Sequence, residues 1–173
     1  FLLRDIMERA STVREAVAIM QQTPRTCEYY YVISDRTRDM VGICATPEAV
    51  EVLEPGAQHP KLPTVPPETV MMSAGRRAEK LSERLVERHG KIDVPALMEI
   101  IKRPVAMNSN LHDAIFRPET LDLWCADAGL KTVACDEPYV RVNLKDLLAY
   151  YRNATRPSAE PAAESIARHR CSR

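Results

Sequence analysis

Glycine is scarce, with five in 173 residues. No Gly-x-Gly-x-x-Gly or Walker pattern can be drawn from so few, which excludes the usual phosphate-cradling loops. An excess of one charge is also missing. Lys+Arg and Asp+Glu number 24 each, and a neutral chain has no electrostatic pull toward nucleic acid or anionic lipid. Neither is expected as a partner. No apolar run reaches the roughly 18–20 residues that span a bilayer. The five cysteines, Cys27, Cys44, Cys125, Cys135 and Cys171, stand far apart, with no Cys-x-x-Cys and no Cys/His cluster. That spacing argues against a zinc site and against a disulfide framework, and it predicts buried free thiols. No metal or cofactor is expected.

What is present suits an ordinary globular domain. Hydrophobic residues make up 45% and charged residues 28%, enough for a core within one domain. Leu2, Leu3, Ile6 and Met7 share one helical face near the start. Phe1 to Arg9 reads as helix interior without a preceding cap, so the chain is expected to continue upstream of Phe1. Thr12-Val-Arg-Glu15 is a capping-box pattern. The helix after it places Val13, Ala16, Val17 and Met20 at helical spacing and stops at Pro24.

Residues 28–34 are aromatic and β-branched and predict a strand. A polar turn, Asp35–Asp39, leads to a second strand at Met40–Ala45, and Val50–Leu53 alternates as a third. Glu54–Glu68 holds five prolines, which forbid regular structure and predict a long surface loop over a groove. Thr69–Met72 reads as a short strand. Ala74–His89 reads as a helix with a thin apolar face of Ala78, Leu81, Leu85 and Val86, stopped by Gly90. Asp93 is placed to cap the next helix, with Pro95 in its first turn, ending before Pro104. Leu111–Phe116 and Leu121–Ala126 form a second hairpin around Arg117–Thr120. Asp136–Tyr139 reads as a turn into an extended exit segment, and a last helix covers Leu144–Arg152. Residues 154–173 are rich in Ala, Ser, Pro, Glu and Arg and predict a disordered tail. Hairpins joined by tight turns cannot be parallel neighbours. The predicted class is therefore α+β, with helices covering antiparallel sheets as a four-layer stack.

Three places could carry chemistry. Asn108-Ser-Asn-Leu-His112-Asp113 is the densest polar cluster beside a strand; it could bind substrate, or be a turn with asparagine at positive φ. Ser73-Ala-Gly-Arg76-Arg77 stands at a helix start, where Arg can fork a carboxylate; the plainer reading makes Ser73 a cap and the arginines a solvated face. Cys27 has no local His to activate it and reads as a packing cysteine, and the tyrosines after it read as sheet aromatics. Trp124 is expected in the core or a pocket wall.

The order of these pieces resembles a known family. The segments are Arg4-Asp-Ile-Met-Glu-Arg9, Ser11-Thr-Val-Arg-Glu-Ala16, Tyr31-Val-Ile-Ser-Asp35, His89-Gly-Lys-Ile-Asp93, Asn110-Leu-His-Asp-Ala-Ile-Phe116 and Leu121-Asp-Leu-Trp124. Over residues 1–153 they resemble the C-terminal part of the penicillin acyltransferase-like group of N-terminal-nucleophile (Ntn) hydrolases, to which acid ceramidase and bile salt hydrolase are more distant relatives. The resemblance implies an incomplete αββα four-layer sandwich and cleavage or transfer at the amide bond of a small acyl or amide substrate. It implies a cysteine nucleophile exposed by self-cleavage, which would lie upstream of Phe1, so no catalytic residue is expected in this chain. The upstream segment, or a cleaved partner chain, would complete the fold, and a homo-oligomer is allowed. Arg76 matches an arginine at that helix start, and Asn110 and His112 match the strand pattern; these three are the candidate substrate-binding residues. The family's asparagine before the Ser73 helix has no counterpart in Thr69-Val-Met-Met72. The alternative is a non-catalytic binding module that keeps the same fold.

Overall fold

A computed structural model describes residues 1–153. The expected tail at 154–173, and Cys171 within it, lie outside the described residues. Those described form a mixed α/β fold of five α-helices and two antiparallel three-stranded sheets.

The first sheet is built on a helix pair. Helix α1 (Leu2–Arg9) and helix α2 (Val13–Gln22) are joined by a short turn. The capping box forms as expected: Thr12 Oγ1 accepts from Glu15 N, and Glu15 Oε2 accepts from Thr12 N. The strands β1 (Tyr29–Ser34), β2 (Met40–Ala45) and β3 (Val50–Leu53) pair in that order, with Tyr31 opposite Ile43 and Ile43 opposite Val52. Alternation then puts Tyr31, Ile33, Val41, Ile43, Ala45, Val50 and Val52 on one face. There they pack with Ile6, Val13, Ala16 and Met20 as the main core. Only half of the expected α1 stripe takes part, because Ile6 is buried while Leu3 and Met7 stay exposed.

Asp35, in the β1–β2 turn, locks helix pair to sheet. Its Oδ1 accepts from Thr37 N and Thr37 Oγ1, and its Oδ2 accepts from Val13 N at the start of α2. These bonds, led by that from the Thr37 hydroxyl, hold its carboxyl below the ordinary aspartate range. At the other end of α2, Arg25 donates to the carbonyls of Met20, Thr23 and Thr46.

The proline-rich loop does not cover an open groove. It folds back on Leu53 and on Val70–Met72, leaving a void of about 10 Å³, room for one water at most. Residues 69–72 are not a strand, contrary to expectation. They cross the sheet side-on at Gly42, where a Cβ would stand 2.5 Å from Met72 Sδ and 2.9 Å from Val70 Cγ1. The lack of a side chain at Gly42 is what permits this approach.

Helix α3 (Arg76–Glu87) starts from Gly75, which sits at φ 79°. Ser73 is therefore not the cap. Ala78, Leu81 and Leu85 pack with Val65 and Met71 as a second small core, while Val86 is exposed. Helix α4 (Val94–Ile101) is capped as expected, with Asp93 Oδ1 accepting from Ala96 N.

The second sheet contains β4 (His112–Arg117), β5 (Asp122–Asp127) and β6 (Val140–Asn143), in that order. The segment read as an extended exit is thus a true third strand. Before it lies a 3₁₀ turn at Ala134–Asp136, and after it comes α5 (Leu144–Asn153). Asn143 starts α5 by accepting from Lys145 N and Asp146 N. Arg38 and Glu119 join the tips of the two hairpins at 2.7 Å.

Asp122 cinches this sheet. Its buried carboxylate accepts from Asn143 Nδ2, Thr120 Oγ1, and Nε and Nη2 of Arg141. The Asn143 and Thr120 bonds first, with Arg141 behind them, lower its pKa from 3.8 to about 2. Because the folded-state value is depressed, the contribution to stability is full above about pH 4 and is lost as pH falls toward about 2. Asp122→Asn is expected to be less stable at neutral pH and to lose less on acidification through that window. Urea unfolding midpoints across the window check this; equal slopes for the two proteins would count against it. Ile43, fully buried at the centre of the first core, is expected to cost about 2–5 kcal/mol on truncation to Ala, read by the same method.

Candidate functional site

The polar cluster singled out in the sequence is reached through a loop that α3 holds in place. Arg84, on α3, donates from Nη1 to the carbonyls of Ile100 and Lys102 at 2.7 and 2.8 Å, and from Nη2 to Arg103 O at 3.1 Å. The Ile100 carbonyl is one that a helix leaves unpaired at its C-terminus, and Lys102 and Arg103 follow it, so one guanidinium joins the end of α4 to the chain beyond. Seven residues earlier, two helical turns along the same face of α3, stands Arg77. Between Arg77 and the loop lies an open cleft of about 560 Å³. Arg103, Asn108 and Ser109 supply the rest of its polar wall, and Pro104, Ala106 and Met107 supply the apolar part.

Arg76, the expected substrate-binding arginine, is the first residue of α3 and is exposed. One residue is about 100° of helix, and it is Arg77 rather than Arg76 that lines the cleft. The doublet itself was visible in the sequence; which member lines the cleft was not.

Asn110 is committed to the fold. Its Nδ2 donates to His112 O and Asp113 Oδ1, both at 3.0 Å, and its Oδ1 accepts from Cys135 N at 2.8 Å. Its backbone carbonyl accepts from Ala134 N as well. The residue therefore clamps the start of β4 to the 3₁₀ turn and has no free donor to offer a substrate. Asp113 continues the clamp by accepting from the Tyr139 hydroxyl at 2.9 Å. Burial first, and then this bond to a carboxylate, pushes the Tyr139 pKa well above its ordinary value, so the hydroxyl stays a donor.

His112 sits across from Asp127 in the β4–β5 register, with Nδ1 at 2.7 Å from Asp127 Oδ1. Both side chains are more than three-quarters exposed. His112 shares with Asn110 only the bond to its backbone carbonyl, and neither shares a hydrogen bond with Arg76. No hydrogen bond between side chains joins the three expected residues. The turn reading of residues 108–110 holds, since Asn110 N donates to Met107 O. Asparagine at positive φ does not: among the described residues those at positive φ other than glycine are Arg38, Glu68 and Leu121.

Among the described cysteines, Cys44 and Cys135 are buried as expected and Cys125 is half-buried. Cys27 is exposed rather than packed, because it precedes β1 outside the helix-covered face. Its one side-chain neighbour by hydrogen bond is Thr26. Trp124 is half-buried, with the Arg141 guanidinium 5.7 Å from its ring centre. Among the described residues, no cluster of three or more His, Cys, Asp or Glu could hold a metal. No helix among them is long and apolar enough to cross a membrane.

Comparison with protein-family models, curated proteins and solved structures finds no match to this chain.

The bonding pattern separates Asn110 from His112. Asn110→Ala removes three side-chain bonds and leaves Cys135 N short of its acceptor, so it is expected to cost about 1–3 kcal/mol of stability. His112→Ala is expected to stay within about 0.5 kcal/mol. Urea unfolding of the two variants decides this; equal losses would mean that the Asn110 clamp is not a structural one.

Proposed function

We propose that this protein is an amide-bond hydrolase or acyltransferase of the Ntn type. In this reading residues 1–153 form the C-terminal part of an αββα four-layer sandwich, and a segment preceding Phe1 carries the cysteine nucleophile. The observation that carries the reading is the pair of half-covered sheets. The first sheet has α1 and α2 on one face only. On its other face Tyr30 is exposed and Val32 is 54% exposed. The second sheet presents Ala114, Phe116, Leu123, Cys125, Val140 and Val142 on one face by register. Phe116 is 69% and Val140 62% exposed. Apolar surface of this extent on a folded chain marks a place where something packs. Two sheets stacked about 10 Å apart would bury such faces, with helices left outside them.

The chemistry of the reading needs a thiol and a base. An N-terminal cysteine supplies both, since its neutral α-amine, with a pKa near 8, takes the thiol proton. The cysteines described here are poor substitutes. Cys44 and Cys135 are buried, and Cys27 has no His, Asp or Glu within hydrogen-bond reach. The amide-cleaving reading accordingly places its nucleophile outside these residues. Its substrate is a small acyl or amide compound, and its structural partner is the upstream segment or the chain released by self-cleavage.

A specific observation favours the second reading, a binding module that keeps the fold without the chemistry. The segment where the resembled family carries an asparagine is here Thr69-Val-Met-Met72, and Val70 and Met72 are spent packing on Gly42.

One experiment divides the two. Full-length protein is expected to run as two chains on a denaturing gel, with the downstream chain beginning at a cysteine that iodoacetamide modifies. Changing that cysteine to Ala is expected to leave one uncleaved chain. A wild-type protein that runs as a single band, with no thiol at a new N-terminus, would sink the enzymatic reading and leave the binding module.

A further inference from the structure

The outer edges of the two sheets differ in how they are guarded. β3 is four residues long and carries Glu51, and β6 is four residues long and carries Arg141. β4 carries His112, Asp113 and Arg117. Short strands and charged side chains are the usual means of keeping an edge from pairing. β1 has neither: Tyr29–Ser34 is six residues long, with no charged residue and no proline. Its Tyr29 and Val32 are more than half exposed. The backbone along this edge is free in a definite pattern. Asp35 N donates to Asp39 O where the β1–β2 register runs into the turn. Odd-numbered positions of β1 therefore exchange their bonds with β2, and Tyr30, Val32 and Ser34 turn theirs outward. No turn or loop backbone among the described residues takes up those outward groups.

The outward set is self-complementary. Two copies of β1, antiparallel about a two-fold axis at Val32, place Tyr30 opposite Ser34 of the second copy and Val32 opposite Val32. Every outward N–H and C=O within the strand then has a partner. Carried past the strand ends, the same register sets Glu28 opposite Arg36 of the second copy, once at each end. Both residues are exposed. Among the described residues Arg36 forms no ion pair, whereas Arg4, Arg9, Arg38 and Arg141 each have an acidic partner. Opposite charges facing across strands favour pairing, and like charges oppose it. An axis at Tyr31 instead would face Glu28 with Ser34 and Arg36 with Thr26, and would gain no ion pair.

We propose that β1 is a homodimer interface, through which two copies join their first sheets into one antiparallel sheet centred on Val32. A second copy fits this edge better than an unrelated peptide, because one register matches both the backbone groups and the charges with the chain's own residues. Dimerisation here depends on neither functional reading and holds for an enzyme and a binding module alike.

Sedimentation equilibrium of full-length protein across the micromolar range tests this, since one strand per copy makes a small interface. Wild type is expected to pass from the protomer mass to twice that mass as concentration rises. Val32→Lys sets two like charges face to face on the axis, at an exposed position, and is expected to stay a protomer with unchanged circular dichroism. Glu28→Arg and Arg36→Glu are each expected to weaken the dimer about tenfold, and the double variant to regain wild-type dimerisation. Glu48→Arg, the same charge change in the exposed β2–β3 turn, is the control and is expected to dimerise as wild type does. A protomer at every concentration, as when a segment preceding Phe1 pairs with β1, would overturn the proposal. So would a dimer that survives Val32→Lys, or single charge reversals that change nothing or that the double variant does not rescue. If Val32→Lys loses its fold, the charge reversals, which lie outside the strand, decide the matter alone.

Discussion

A β-strand sends successive side chains to opposite faces, so a sheet with apolar residues at every position must be covered twice. The first sheet shows the consequence in graded form. Its helix-facing side is closed by Ile6, Val13, Ala16 and Met20. On the opposite side, Gly42, Cys44 and Leu53 are buried beneath the loop and the Val70–Met72 segment, while Tyr30 and Val32 are not. The covering therefore stops at β2. In the second sheet the Ile115 and Ala126 face is buried and the Phe116 and Val140 face is open. Helix α5 adds Leu144, Leu147, Leu148 and Tyr151 at helical spacing, all exposed. These apolar faces are the surface that the proposed layered fold would have to cover.

Single polar residues hold the elements in register, and the same bonds decide which of them are free for chemistry. Asp35 ties α2 to the first hairpin, Asp122 ties β4–β5 to β6, Arg84 ties α3 to the end of α4, and Asn110 ties β4 to the 3₁₀ turn. Each uses most of its donor or acceptor capacity inside the fold. No buried side-chain polar atom among the described residues lacks a partner. Polar groups with spare capacity are therefore found at the surface, and the two charged ones that line the open cleft are Arg77 and Arg103. Satisfaction within the fold, more than identity or nearness to a strand, is what separates Asn110 from the cleft arginines.

Local signals in the sequence were legible where local physics decides the outcome. The capping box at Thr12 and Glu15, the Asp93 cap, and the bounds of β2 and β3 follow from neighbours a few residues away. Two of the misses are cases where a distant partner decides. Thr69–Met72 has strand-forming residues, but it lies across Gly42 instead of pairing. Val140–Asn143 looks like an exit segment until β5 offers an edge. Ser73 looks like a cap until Gly75, at positive φ, turns the chain two residues later. Cys27 looks like a core residue by type, yet its place before β1 leaves it in water. The candidate site was half legible for the same reason. The stretches 73–77 and 108–113 each contribute to the cleft wall, through Arg77 and through Asn108 and Ser109. The sequence could not say that Arg77 and Arg103 line one cleft, or that Asn110 is consumed by Cys135.

The partial covering also limits what could complete the molecule. The β2–β3 side of the first sheet is filled by residues 70–72, which stand in contact distance of Gly42, so no second layer fits there without displacing them. A segment lying over the open part of that face would meet Tyr30 and Val32, and the outer edges of both β1 and β3 are unpaired. The second sheet offers its open face from β4 through β6 without such an obstacle. Pairing at β1 would also set a neighbouring strand beside Tyr29–Ser34, the strand that directly follows the exposed Cys27.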